Sequence, residues 1–313
     1  VTFSIVARDE QTGDLAVAVQ SKFLAVGAVV PWARADVGAV ATQAFANVAY
    51  GPDGLDALAA GATADDALAG LIADDDLREE RQVGIVDAAG RAASHTGRHC
   101  FRWAGGRVGG GYAAQGNILA GPTVVDALAE RFEAGGLPFA ELLVACLADA
   151  DAAGGDRRGR QSAALLVVRS GGGYGGGNDR WIDLRVEDHV DPIGELGRIL
   201  ALQRLYFDRP SPGELVPLDA ALAGELRAGL TTLGVGPAGS LGAVYRSMTP
   251  SAADDEPRPA IGTPRDLPDG WDTGWQRALV DWMAVENLEE RTAAPGWIDP
   301  RVVAFIRDRT RDR

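Results

Sequence analysis

Lysine is nearly missing from this chain: Lys22 is the single lysine among 30 basic residues, the rest being arginine. Positive charge is in deficit overall, with 44 acidic residues and a net charge of −14. That balance argues against nucleic acid or an anionic membrane as partner, because both demand a basic footprint. Cysteine is scarce as well. Cys100 and Cys146, the two in 313 residues, are too few and too scattered for a disulfide framework. No apolar run approaches membrane length, and no signal-like stretch stands ahead of the first strand. A cytoplasmic protein without a membrane partner is the expectation. Metal-ligand spacing is poor too: His95, His99 and Cys100 fall in a loop rather than on one helix face, so no metal is expected. Gly109–Gly111 and Gly171–Gly177 lack the Gly-Lys-Ser/Thr ending of a phosphate loop, and no cofactor is expected.

What is present begins at once. Thr2-Phe3-Ser4-Ile5-Val6-Ala7-Arg8 and Leu15-Ala16-Val17-Ala18-Val19-Gln20-Ser21 read as two strands, joined by the Asp/Gly turn chemistry of 9–14. Gly27–Val30 and Val37–Thr42 read as further strands separated by Pro31-Trp32-Ala33-Arg34. Helices follow near 52–60 and 64–73, the second with Thr63 or Asp65-Asp66 at its start. Strands are expected at 82–87, 91–96 and 112–117, and helices at 122–134 and 138–152. Strands near 162–169 and 181–186 flank a glycine-rich loop. A helix over 192–206 ends before Arg209-Pro210-Ser211-Pro212-Gly213, which reads as a linker between a domain over 1–208 and a module over 214–313. Two sheets stacked between helices, a four-layer αββα sandwich of the α+β class, fit this order.

A strand that opens with a hydroxyl suggests an N-terminal nucleophile, whose own free α-amine acts as base. Thr2 is the candidate. The device requires that residue 1 be trimmed, and Val1 is read as a non-standard start at which Met is placed and removed. Lys22, at the end of the second strand, is expected to lower the nucleophile's pKa or neutralise an oxyanion. The helix-to-strand loop 154–162 displays charge and amides: Asp156 and Ser162 as catalytic candidates, Arg158 and Gln161 as substrate ligands. Ser21, Gln43, Asn47, Gln115 and Asn117 at strand ends are expected to bind substrate. His189 is expected to orient the helix that begins near 192.

These strings together resemble a known family. Thr2–Asp9, Ser21–Gly27, Ala41-Thr42-Gln43, Gln115-Gly116-Asn117, Gly155–Ala164 and Asp183–His189, in order over about 2–206, resemble a bacterial domain of unknown function numbered 1028. The resemblance implies the fold of the N-terminal-nucleophile (Ntn) hydrolases. It implies no substrate. In the proteasome-like branch an Asp and a Ser stand where Asp156 and Ser162 do, but that branch's acid on the second strand is replaced here by Val17-Ala18-Val19. Farther along, Leu230–Val235 and Val285–Arg291 resemble a small module named for peptidoglycan binding. A docking or dimerisation role is expected for it instead, making the protein a homo-oligomer, with Trp271, Trp275, Trp282 and Trp297 as core. A cell-wall ligand conflicts with the missing export signal.

The expected function is hydrolysis of a small-molecule amide C–N bond. The contrasting expectation is a non-catalytic binding protein on the same scaffold, with the C-terminal module recognising a partner.

Overall fold

The computed structural model describes residues 2–237 and 259–311. Val1 and residues 250–258, the start of a stretch over 250–268 that the sequence marks as rich in proline and acidic residues, lie outside the described residues. The chain divides into two compact units, Val1–Leu200 and Ala201–Arg313.

The first unit is built on antiparallel hairpins. Strands β1 (Thr2–Arg8) and β2 (Leu15–Ser21) pair in full register, Thr2 opposite Ser21. Asp9 Oδ1 accepts the Gln11 N–H, and Gly13 supplies the positive φ that closes the turn. Six strands form one sheet in the order β10 (Arg180–Val186), β9 (Ser162–Val168), β2, β1, β8 (Tyr112–Asn117), β7 (Gly105–Gly109). Four form the other: β3 (Pro31–Arg34), β4 (Gly38–Ala44), β5 (Arg81–Asp87) and β6 (Ala92–Thr96).

Side-chain alternation sorts each strand between two layers. From β1, Phe3, Ile5 and Ala7 pack under helices α3 (Thr123–Ala134) and α4 (Phe139–Ala152). Val6 turns the other way and meets Val17, Val19, Ala39, Ala41 and Val86 between the sheets. The outer face of the four-stranded sheet packs Val40, Val83 and Ile85 against α1 (Tyr50–Ala59) and α2 (Ala64–Ala73). Thr63 caps α2 by accepting the Asp66 N–H at 3.1 Å. The unit is thus helix, sheet, sheet, helix, as the order of elements implied. Helix α5 (Pro192–Phe207) adds Ile193, Leu196 and Leu200 to the layer of α3 and α4.

Three local expectations are corrected. Residues 27–30 are not a strand: Ala25 adopts a left-handed φ of 54° and Val26–Ala28 form a 3-10 turn. Gly27 lies so close to β9 that a Cβ there would meet the Ala164 Cβ at 2.7 Å. The strand is instead Pro31–Arg34, an edge strand, where a proline at the first position sacrifices no ladder bond. Strand β7 was not read, because Gly105-Gly106-Arg107-Val108-Gly109 carries little apolar signal. The third concerns the boundary between units, which falls inside α5 and ahead of Arg209–Gly213.

In the second unit Leu205 and Tyr206, from the last turns of α5, pack against the core. Helices α6 (Ala220–Thr232), α7 (Thr273–Val285) and α8 (Pro300–Thr310) enclose Leu226, Leu230, Leu279, Val302 and Ile306. Trp271 and Trp282 are buried there as expected, while Trp275 and Trp297 are half-buried. A two-residue ladder joins β11 (Val216–Pro217) to β12 (Trp297–Ile298). Arg291 is fully buried and its guanidinium binds Asp299 at 2.6 Å and the carbonyls of Arg204 and Leu205 at 2.5 Å each. Asp299 in turn caps α8 at the Arg301 N–H.

Candidate functional site

One end of the space between the two sheets is polar. Register places Ser162, Ser21, Thr2 and Asn117 side by side across β9, β2, β1 and β8. Ser4 and Gln115 make the next row. On the facing sheet Gln43, Gln82 and Thr96 line up across β4, β5 and β6. These side chains are buried, apart from a half-buried Thr96. Their hydrogen bonds must therefore be found among themselves.

They are. Thr2 Oγ1 lies 3.0 Å from Ser21 Oγ. Gln115 Nε2 donates to Ser4 Oγ at 2.7 Å, and Ser4 Oγ donates to Gln43 Oε1 at 2.7 Å. Gln82 is the hub: its Oε1 accepts from Gln43 Nε2 at 2.8 Å and from Asn117 Nδ2 at 2.9 Å. Its Nε2 donates to Thr96 Oγ1 and to the Gly116 carbonyl. Gly84 lets the sheets approach, since a Cβ there would sit 2.1 Å from Gln115 Oε1.

The loops at this end are tied to one another. Asp156 accepts the Lys22 N–H at 2.8 Å through Oδ2 and the Arg158 N–H at 2.7 Å through Oδ1. Ser162 Oγ accepts the Val26 N–H at 3.1 Å and donates to the Phe23 carbonyl at 2.5 Å. Asp156 and Ser162 therefore hold the backbone of the 22–26 loop. The Arg158 guanidinium leans on Asp156 at 3.6 Å, and Gln161 Nε2 donates to Asp188 Oδ1 at 3.0 Å. Lys22 is exposed, and among the described residues its ammonium forms no ion pair.

Of the expected residues, the structure brings together Thr2, Ser21, Gln43, Gln115 and Asn117, with Lys22, Asp156, Arg158 and Ser162 on and under the adjoining loops. Asn47 stands apart. It turns toward Asp75, which also receives the Tyr50 hydroxyl and Arg81 Nε at 2.8 Å each. The Arg81 bond, above all, holds the Asp75 carboxyl far below the ordinary carboxylate range, whereas burial, with Asp75 beside it, pushes the Tyr50 phenol up. Beside this cluster a cavity of about 470 Å³ opens between α1 and α2, lined by Asp53, Asp66, Gly70 and Leu71 among others. Sequence reasoning missed Ser4, Gln82 and Thr96. Ser4 was legible as the residue two past Thr2, hence on the same face of the strand.

The other candidates disperse. His95 Nε2 lies 2.9 Å from the Arg78 carbonyl, His99 Nδ1 3.4 Å from Glu80, and Cys100 Sγ donates to the Arg81 carbonyl. Among the described residues no group of three or more ligating side chains suits a metal. His189 Nδ1 accepts the Asp191 N–H at 3.0 Å, just before α5. No described helix is long and apolar enough to cross a membrane.

Comparison with known proteins bears on both units. Residues 265–306 match a family described as "Putative peptidoglycan binding domain". No curated protein matches the chain. A crystal structure of a protein from Silicibacter pomeroyi is similar, with 31% identity and a TM-score of 0.60, over 65% of this chain and 89% of that one. Its description names the same family that matches residues 2–196 here, "Family of unknown function (DUF1028)". Through a match over most of its length, the chain belongs to the DUF1028 family.

Proposed function

We propose that the first unit is an Ntn-type hydrolase of a small amide, with Thr2 as nucleophile. The observation that carries this reading is the Thr2 hydroxyl, buried at the first position of a central strand and 3.0 Å from a second hydroxyl, Ser21 Oγ, at the polar end of the inter-sheet space.

The reaction requires that the chain be cleaved ahead of Thr2. The freed α-amine then takes the Thr2 hydroxyl proton as the oxygen attacks the amide carbonyl, giving a tetrahedral oxyanion. The C–N bond breaks, and the protonated amine returns that proton to the leaving nitrogen. Water, activated by the same amine, hydrolyses the Thr2 ester and frees the acid. Ser21 orients the nucleophile, and Asn117, the register partner of Thr2, is held by its amide to Gln82. Gln43 and Gln115 direct their amide N–H groups at Gln82, Ser4 and backbone carbonyls, so they act as framework more than as oxyanion donors. Asp156 and Ser162 fix the Lys22 loop, whose ammonium supplies positive potential at the Thr2 end.

For the second unit we infer a recognition role. Burial of Trp271 and Trp282 removes those two as sugar platforms and leaves the half-buried Trp275 and Trp297 as its accessible tryptophans.

The test is turnover. A chain beginning at Thr2 should release amine from members of an amide library, and Thr2→Ala should fold normally yet lose that release by at least about 10³-fold. Normal turnover by Thr2→Ala would move the nucleophile elsewhere, Ser21 being next.

A further inference from the structure

In the first unit most arginines have carboxylate partners. The cations without one are Arg8, Lys22, Arg78, Arg102 and Arg157 among the described residues. Arg8 ends β1, at the far edge of the sheets from Thr2. Arg78 Nη1 donates to the Asp75 carbonyl at 3.2 Å, beside the Asn47 and Tyr50 cluster rather than Thr2. Three remain: Lys22, Arg102 and Arg157, all exposed.

Backbone bonds bring these three to the Thr2 end. The Lys22 N–H binds Asp156, the neighbour of Arg157, at 2.8 Å. The Arg157 N–H donates to the Ile118 carbonyl at 3.3 Å, and the Ile118 N–H to the Phe101 carbonyl, beside Arg102, at 2.9 Å. Ile118 follows Asn117, the register partner of Thr2. Exposed apolar side chains stand on the same loops: Phe23 and Leu24 next to Lys22, and Phe101, which is 76% exposed, next to Arg102.

In a chain of net charge −14, cations without a carboxylate partner on adjoining exposed loops favour an anion there, because a bound ligand's charge offsets their mutual repulsion more closely than mobile counter-ions do. Apolar neighbours add a second requirement, since a ligand that covers them removes their surface from water. We infer that the site takes an amide joining an apolar group to a free carboxylate, as in an N-acylated amino acid. This substrate class rests on the hydrolase reading for its reaction but not for its recognition. Lys22, Arg102 and Arg157 receive the carboxylate, and Phe23, Leu24 and Phe101 cover the apolar part.

The experiment pairs N-octanoyl- and N-benzoylglycine with the corresponding glycinamides, identical but for the charge. Using the full chain beginning at Thr2, the acids should show kcat/KM about tenfold above the glycinamides, the gap closing in about 0.5 M salt. Arg157→Gln and Arg102→Gln should raise KM for the acids by a larger factor than KM for the glycinamides. Equal turnover of acid and glycinamide at low salt, unmoved by either variant, would overturn the substrate class while leaving the hydrolase reading intact. Calorimetry with Thr2→Ala separates the reverse case. Salt-sensitive binding of the acids without turnover by any chain supports the ligand class and rejects the reaction. Failure of the acids to bind, or binding no tighter than that of the glycinamides, would overturn the inference.

Discussion

Gln82 holds the polar end of the inter-sheet space together, because its single carbonyl oxygen accepts from two buried amides on different sheets. Replacing it by Leu leaves Gln43 Nε2 and Asn117 Nδ2 without that acceptor. Each orphaned donor costs about 1–3 kcal/mol. Gln82→Leu should therefore lower the urea unfolding free energy by about 2–5 kcal/mol, whereas a change under 1 kcal/mol would show that the two amides repartner. Gln43, Gln115 and Asn117 were legible beforehand as amides at strand ends. Gln82 was not, because it stands at the start of an apolar strand with nothing in its neighbours to mark it. Only the register across β4 and β5 gives it two amide partners. Asn47 failed for the opposite reason: the chain leaves β4 after Ala44, and three residues suffice to carry it to Asp75.

At the scale of elements, Asp75 ties the start of β5 to the start of α1, through Arg81 on one side and Tyr50 with Asn47 on the other. Its folded pKa is depressed, so the stabilisation it gives is full above the ordinary carboxylate pKa of about 4 and is lost as pH falls through the lower folded value. Asp75→Asn should therefore be less stable than the parent near neutral pH, with the difference narrowing progressively below about pH 4. Denaturant melts at several pH values check this, and a difference constant with pH would place the tie elsewhere. Helices were read well because capping and periodicity are local, as at Thr63. Strands β3 and β7 were read less well. A β3 that begins with Pro, and a β7 that is three-fifths glycine, are strands by virtue of their neighbours, which local composition does not record.

For the whole molecule, the four-layer order of the first unit followed from the sequence of strands and helices along the chain, and alternation along β1 then shows a helix-facing and a sheet-facing side. The boundary did not follow: Pro210 and Pro212 mark an irregular segment, yet the second core already begins with Leu205. Each unit has its own buried cluster, so the full chain should melt in two calorimetric transitions. Arg291→Ala strips Asp299 of its buried partner and two carbonyls of their donors, a loss of about 3–5 kcal/mol. It should lower one transition by several degrees and leave the other in place. A uniform shift of both would mean that the units unfold as one.

The central claim, that Thr2 performs the chemistry, is tested most directly by trapping. Native-host protein is treated with an activated acyl ester and the adduct located by mass spectrometry. The account predicts a chain whose first residue is Thr2, carrying one hydroxylamine-labile acyl ester on Thr2 Oγ1, with no such ester in Thr2→Ala. A mature chain that keeps Val1, or an adduct on Ser21 with Thr2 unmodified, would contradict it.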